Sequence, residues 1–574
     1  MLVTDAIAAV LADFGADTVF GVVGSGNFHV TNALIARGAR FVAARHEGGA
    51  ACMADGWARI SGRPGILSVH QGPGLTNAMT GITEAAKSRT PLLVLAADVA
   101  EAAIRSNFRI DVAGLARAVG AVPARLHSPD FAVDDTVRAY RTAVEDRRTV
   151  ILALPLDVQT GQCPAPPAEL LAAARPRASG STKAITGSTR DQARGPGARA
   201  QLLRDSMAPG APARLADAIR QAERPVFIAG RGARNAGARA DLERLADACG
   251  ALLATSAAAK GLFRGNPWDL DISGGFASPL AAELIRGADL VVGWGCSLNM
   301  WTMRHGVLIS PGTVVAQVDI EPGALGAHTP VSLGVTGDVA GVARAVSAAW
   351  GDDALPGYRT DQLRKRIEDR VRWRDVPYED LSDGRRIDPR TLTIALDDML
   401  PAERIVAVDS GNFMGYPSMY LSVPDADGFC FTQAYQSIGL GLASAIGSAI
   451  ARPDRLVVAA LGDGGALMGI SELETAVRLG LPMVIVVYDD EAYGAEVHHF
   501  GPDGYRLDTV RFPPANIAKI ARGFGCVAIK VRQVSDLANV REWLDGPRQS
   551  PLLIDAKITS ERGSWWLEEA FRGH

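Results

Sequence analysis

No two of the six cysteines, at positions 52, 163, 249, 296, 430 and 526, stand in a CxxC spacing. That argues against a zinc ribbon or a paired redox motif and points to a reduced compartment, the cytoplasm. No run of about 18 apolar residues occurs, so no membrane span is expected. There is no basic excess either. The formal net charge is -4, which offers nothing to nucleic acid or an anionic membrane. The opening Met1-Leu-Val-Thr-Asp5 lacks the basic head and long apolar stretch of a signal peptide. What the chain does have is an ordinary globular balance, 48% hydrophobic and 21% charged. Its 574 residues exceed what one core holds, so about three domains are expected.

Residues 1–165 alternate helical patterns with short apolar strands: Thr18 to Val23, Phe41 to Ala44, Ile66 to Val69, Leu92 to Leu95 and Val150 to Leu154. Such alternation implies a parallel sheet with helices on both faces. A second block, 213–350, carries strands Val226 to Ala229, Leu290 to Gly293 and Val314 to Asp319. A third spans 388–574. The stretch 166–212 is rich in Pro, Ala, Gly, Ser and Arg and reads as a partly disordered linker. A charged connector fills 351–387. The predicted fold class is α/β, with three doubly wound parallel-sheet domains. Their similar layout suggests related folds, although no sequence repeat proves it.

The strongest chemical signal is a pair of aspartates. The apolar run Leu456-Val-Val-Ala-Ala-Leu461 breaks into Gly462-Asp463-Gly464-Gly465. A helical stretch, Ile470 to Leu479, follows and stops at Gly480. A second run, Met483 to Tyr488, breaks into Asp489-Asp490. Strand, helix and strand with short connections make a right-handed crossover with parallel strands. Both acids therefore land at one carboxyl edge, where open α/β sheets bind ligands. Two oxygen donors beside glycine amides suit a hard cation carrying a phosphate. The plainer reading is a surface turn and an acidic strand end.

In the first block, strand Phe41 to Ala44 ends in Arg45-His46-Glu47, and Gly48-Gly49-Ala50-Ala51 opens a helix. Burial among Gly and Ala would raise the Glu47 carboxyl and make it a proton donor to a ring nitrogen. An acid satisfying a helix N-terminus is the simpler alternative.

Together these residues resemble the thiamine diphosphate enzymes of the acetolactate synthase and 2-oxo-acid decarboxylase group, with its benzoylformate decarboxylase branch. The resemblance runs in order along nearly the whole chain: Phe20 to Ser25, Arg45 to Ala51, the Gly72-Pro-Gly-Leu-Thr-Asn77 loop, Ser437 to Gly447, and Gly462 through Asp490. It implies a pyrimidine-binding first domain and a diphosphate-binding third. Glu47 would hydrogen-bond the cofactor's pyrimidine, and Ile438 would support its bend. The Gln436 carbonyl would accept the amino group. Asp463, Asp490 and the Ala492 carbonyl would hold Mg²⁺, with the Gly464 and Gly465 amides on the diphosphate. Gly462, Tyr493, Asn412 and Asn77 complete the implied cofactor contacts. The family binds the two cofactor halves on different subunits, which makes a homodimer the minimum and a homotetramer common.

The chain departs from the family at Asp490, where Asn is usual, inside Asp489-Asp490-Glu491. The added charge should hold the metal and repel diphosphate, and a slipped register would make Asp489 the ligand. His70 corresponds to a proton-handling histidine of the benzoylformate decarboxylase branch; a structural strand-end histidine is the alternative. Gln71 could bind the substrate's carboxylate or carbonyl. Ser25 sits where decarboxylases place a polar group, with Asn27, His29, Phe108 and Arg109 around the same cleft. Arg109 suits a second carboxylate or a surface ion pair. Of His498 and His499, at most one should reach the site. FAD in the middle domain stays open on Gly230 to Ala233 and Asp319 to Pro322, with the family's flavin segment missing.

The resemblance implies expulsion of CO2 from a small-molecule 2-oxo acid. What remains then attacks an aldehyde or oxo acceptor, or is protonated to an aldehyde. The overall layout and the Gly72 to Asn77 loop favour carboligation or the related lysis; His70 favours simple decarboxylation. An FAD oxidase and a non-catalytic scaffold are the competing classes. The C-terminal Gly563 to Arg572 reads as an amphipathic helix lying on the surface.

Overall fold

A computed structural model describes residues 1–167, 169, 171–172, 198–234 and 236–570. It contains three six-stranded sheets, and every strand pair in them is parallel. Parallel strands need crossovers, and the apolar runs supply strands buried on both faces beneath them.

The first sheet runs Arg40–Ala43, Thr18–Gly21, Gly65–Val69, Leu92–Asp98, Thr149–Pro155, Val122–Arg125. The third runs Phe429–Phe431, Arg404–Val408, Leu456–Gly462, Met483–Asp489, Leu552–Lys557, Val527–Val531. Counted within each domain, both orders are 2-1-3-4-6-5, so the outer domains share one topology. The middle sheet differs. It runs Leu333–Thr336, Val314–Asp319, Leu290–Trp294, Pro225–Ala229, Leu252–Thr255, Asp269–Ile272, or 6-5-4-1-2-3.

The outer domains are welded by two helices, Glu47–Ser61 and Gly441–Ala451. Small residues let them touch backbone to backbone. A Cβ on Gly56 would meet the Ser444 main chain, and one on Gly447 would meet Met53 O. Beside this seam the buried Arg59 pairs with Asp55 at 2.8 Å and Glu84 at 2.8 Å, and donates to Phe431 O at 2.8 Å. A buried charge needs such company.

Most of the stretch read as a disordered linker lies outside the described residues. Its last part, however, is a helix, Ala198–Ser206, whose Ser206 hydroxyl meets Thr336 Oγ1 of the middle sheet. The charged connector also holds a helix, Asp361–Arg370. No helix among the described residues is long and apolar enough to cross a membrane.

Candidate functional site

At the carboxyl edge of the first sheet, Glu47 opens its helix with His46 as cap, whose Nδ1 accepts from Gly48 N at 3.0 Å. Glu47 is half-exposed in the single chain, against the burial expected for it, and its Oε2 accepts from Asn77 Nδ2 at 3.0 Å. Asn77 comes from the helix Pro73–Lys87, which begins just after Gly72 at φ +65. His70 stands beside this pair. Its Nδ1 accepts from Gly26 N at 3.1 Å, so the neutral ring carries its proton on Nε2. Burial lowers the His70 pKa, and the Glu47 carboxylate pulls it the other way. Phe108 packs edge-on against the ring, and the ideal Cβ position of Gly74 lies 3.0 Å from His70 Cβ and 3.7 Å from Glu47 Oε1. Gln71 is buried, with Oε1 lacking a hydrogen-bond partner among the described residues.

At the carboxyl edge of the third sheet, Gly462 precedes the short helix Asp463–Met468. A Cβ on Gly464 would lie 2.6 Å from the Tyr493 ring, and one on Gly465 would collide with Asp409. Only glycine lets these amides sit there. Asp463 and Asp490 lie within hydrogen-bonding reach; burial and repulsion from Asp490 push the Asp463 carboxyl up, while burial and repulsion from Asp489 raise Asp490, against the hydrogen bond with Asp463. Two non-glycine residues of this edge, Gln436 at φ +58 and Glu491 at φ +59, are left-handed. Strain of this kind collects at functional sites. Ile438 sits two residues past Gln436 and is half-buried. Ala492 bridges to Arg511, framed by Tyr493 N donating to Val510 O and Phe512 N to Glu491 O.

The acidic run resolves into three different environments. The Asp489 carboxylate accepts from Lys557 Nζ, and Glu491 pairs with Arg386 at 2.7 Å. Asp463 and Asp490 have no ion-pair partner among the described residues. The two acids flanking Asp490 are neutralised by the protein, and Asp463 and Asp490 are not. Among the described residues no three acidic, His or Cys side chains converge as a metal site. The donor set is two carboxylates with a backbone carbonyl nearby, which suits a hard ion that keeps waters.

Other expected residues are placed differently. Asn27 does not line a cleft: it is fully buried, accepting from Gly24 N and donating to Val22 O and Ser68 Oγ. Ser25 and His29 are exposed. Arg109 is exposed too, donating to Glu101 O at 3.4 Å. His498 faces Gly563, and His499 packs on Phe500.

The C-terminal segment expected on the surface is instead anchored inward over its described side chains, with Trp565 alone clearly exposed among residues 564–567. Ser564, Trp566 and Leu567 are buried. Ser564 N donates to Asn412 Oδ1 at 2.9 Å, and Trp566 Nε1 donates to Asn412 O at 2.9 Å. Trp566 also packs on Phe276 and Trp301 of the middle domain. Asn412 in turn borders Gly494, next to the acid pair. Trp566→Ala removes that wedge and is expected to cost about 3 kcal/mol, read as a lower denaturation midpoint and faster proteolysis near residue 563.

Sequence reasoning missed Asp409. It ends the strand Arg404–Val408, and its carboxylate accepts from Gly439 N at 2.9 Å and Leu440 N at 3.2 Å, shaping the turn after Ile438. Burial lifts its carboxyl to about 6. The only signal was an acid at a strand end.

In the middle domain the strand order reverses between Pro225–Ala229 and Leu290–Trp294, the usual dinucleotide crevice. There the glycines serve the chain itself. Gly232 N donates to Gly295 O at 3.0 Å, Gly230 N donates to Trp294 O at 2.9 Å, and Arg231 reaches Ser88 O of the first domain. The Gly-x-Gly is accounted for by packing within the chain.

A doubly wound α/β protein with an acid on one sheet edge, and a carboxylate pair beside glycine amides on another, offers the donor types that an anionic cofactor held through a cation would need. Three models of one family match the chain. The thiamine pyrophosphate enzyme N-terminal TPP binding domain covers residues 1–113, the central domain 213–346, and the C-terminal TPP binding domain 409–556. The chain belongs to the thiamine pyrophosphate enzyme family. It is 29% identical over 549 residues to a Pseudomonas aeruginosa protein named probable 2-ketoarginine decarboxylase AruI, covering 93% of this chain and 89% of that one. It is 26% identical to the sulfoacetaldehyde acetyltransferase of Rhodobacter capsulatus, covering 99% and 96%. Its fold is similar to the thiamine diphosphate-dependent 4-hydroxybenzoylformate decarboxylase of Rhodococcus jostii RHA1, with TM-score 0.78 at 20% identity over 98% of this chain and 100% of that one.

Proposed function

We propose that the chain is a thiamine diphosphate- and magnesium-dependent enzyme that decarboxylates a 2-oxo acid. The carrying observation is the carboxylate pair Asp463 and Asp490, which has no ion-pair partner among the described residues and stands beside the Gly464 and Gly465 amides. These two, with the Ala492 carbonyl, would hold the metal, and the Gly464 and Gly465 amides the diphosphate. Ile438 and the Gln436 carbonyl would support the rings, while Gly462, Tyr493 and Asn412 shape the pocket. When bound, the cofactor would supply a nucleophilic carbon for the oxo group and an electron sink for the loss of CO2. Glu47 would hold a proton against the pyrimidine, oriented by Asn77. Glu47, Asn77 and Gln436 are open to solvent in one chain, and no hydrogen bond or ion pair among the described residues joins Glu47 to the acid pair. A second copy would complete each site, so a homodimer is the working unit and pairing of dimers gives a tetramer.

His70 favours the aldehyde as product. Its neutral ring carries the proton on Nε2 and lies near enough to Glu47 to feel its charge, and the neighbouring Gln71 holds a buried, unpartnered Oε1. His70→Asn is expected to slow aldehyde release about 100-fold with the thiamine diphosphate Kd unchanged; undiminished release would remove His70 from proton delivery. Carboligation is the second reading, favoured by the Gly72 to Asn77 loop. CO2 release from a panel of 2-oxo acids, with and without acceptor aldehydes, separates the two. A new carbon-carbon bond in the product would select carboligation, and absence of CO2 from every 2-oxo acid would sink both.

A further inference from the structure

Two buried carboxylates cross the seam between the outer domains in opposite directions. Glu472, on the third domain's helix Glu472–Arg478, is 2% exposed. It accepts from Arg45 N at 3.1 Å and His46 N at 3.0 Å, the two residues before Glu47. Glu84, on the first domain's helix Pro73–Lys87, is 1% exposed. It accepts from Ala434 N at 3.2 Å and Tyr435 N at 2.7 Å, the two residues before Gln436. The helices bearing these acids follow the third strand of each domain, and the segments they hold follow the second. The identical strand order of the two outer sheets generates this reciprocity.

A charge-assisted bond to a backbone amide is among the stronger hydrogen bonds and is directional. Two consecutive amides on one carboxylate fix both position and rotation of the peptide they frame. The Glu472 arrangement is also built tightly. Its Oε2 accepts from Thr475 Oγ1 at 2.6 Å, and a Cβ on Gly49 would collide with Oε1. An ion pair of Arg45 with Glu474 at 2.6 Å backs the same turn.

We infer that Glu472 is a positioning residue for Glu47: from the diphosphate-binding domain of the same chain, it sets the orientation in which Glu47 meets the cofactor's pyrimidine. This rests on the cofactor reading of Glu47 above. It makes Glu472 matter to proton removal from C2 without touching substrate or cofactor. Glu84 does the same for the Gln436 turn.

The test is exchange of the C2 proton of thiamine diphosphate for deuterium, followed by NMR after acid quench, on the holoenzyme with Mg²⁺. Glu472→Ala is expected to slow exchange about 10- to 100-fold with the thiamine diphosphate Kd unchanged. Glu472→Gln keeps one acceptor oxygen for both amides and should restore exchange to within about threefold. In a Glu47→Gln background Glu472→Ala should add no further slowing, since the effect passes through Glu47. If Glu472→Ala fails to fold, Gly49→Ala carries the same test, because its methyl displaces the carboxylate, and it too should slow exchange. Native exchange in whichever of the two variants folds overturns the inference, as does full additivity with Glu47→Gln. Native exchange in Glu47→Gln itself would instead overturn the cofactor reading.

Discussion

Replacing Glu47 by glutamine is expected to leave a folded protein that binds thiamine diphosphate and turns over about 10³-fold more slowly. The size follows from what the change removes. Glutamine keeps an oxygen for Asn77, whose bond to Glu47 is 3.0 Å, and it occupies the same half-exposed volume. What it lacks is a proton that can be held at an oxygen and shared with a ring nitrogen. The expected signature is a fall in kcat with the cofactor Kd little changed, since binding is carried mainly by the other sheet edge. Turnover within about threefold of the native enzyme would mean that Glu47 only satisfies the helix N-terminus.

Asp463→Ala is expected to act in the opposite way, abolishing cofactor retention at micromolar thiamine diphosphate and weakening magnesium at least about 100-fold. It leaves Asp490 as the single anionic donor of its pair, with Asp489 already engaged by Lys557 and Glu491 by Arg386. No neighbouring acid is free to substitute. Isothermal titration of the apoprotein with Mg²⁺ and thiamine diphosphate would read the loss directly. Retained binding with Asp489→Ala as the damaging change instead would move the metal one residue along the chain.

The strands that sequence patterns identify are those buried on both faces, such as Leu456–Gly462 and Met483–Asp489, where hydrophobic runs are continuous. Val122–Arg125 was missed because it is a half-buried edge strand containing Pro123. Asp269–Ile272 was missed because it is four residues long with acids alternating. Motif residues such as Glu47, His70 and Asp463 were legible because their partners lie close in sequence or at the same sheet edge. Glu84 and Glu472 were not: each is a helical acid in an amphipathic pattern, and the amides it serves lie hundreds of residues away. The role of Asn27 was hidden for a related reason, since Ser68 belongs to another strand. The C-terminal Trp566 reads as an exposed aromatic until the middle domain is folded against it.

The crosspiece from Glu472 also has a consequence for biosynthesis. The Arg45 and His46 amides wait for an acceptor 427 and 426 residues further along the chain. At ribosomal rates of 5–20 residues per second that interval is about 20–85 s. Throughout it the nascent first domain carries two unsatisfied donors and the bare face of its Glu47 helix. A chaperone that shields that face should therefore raise the yield of native protein, and slower translation, which lengthens the interval, should lower it.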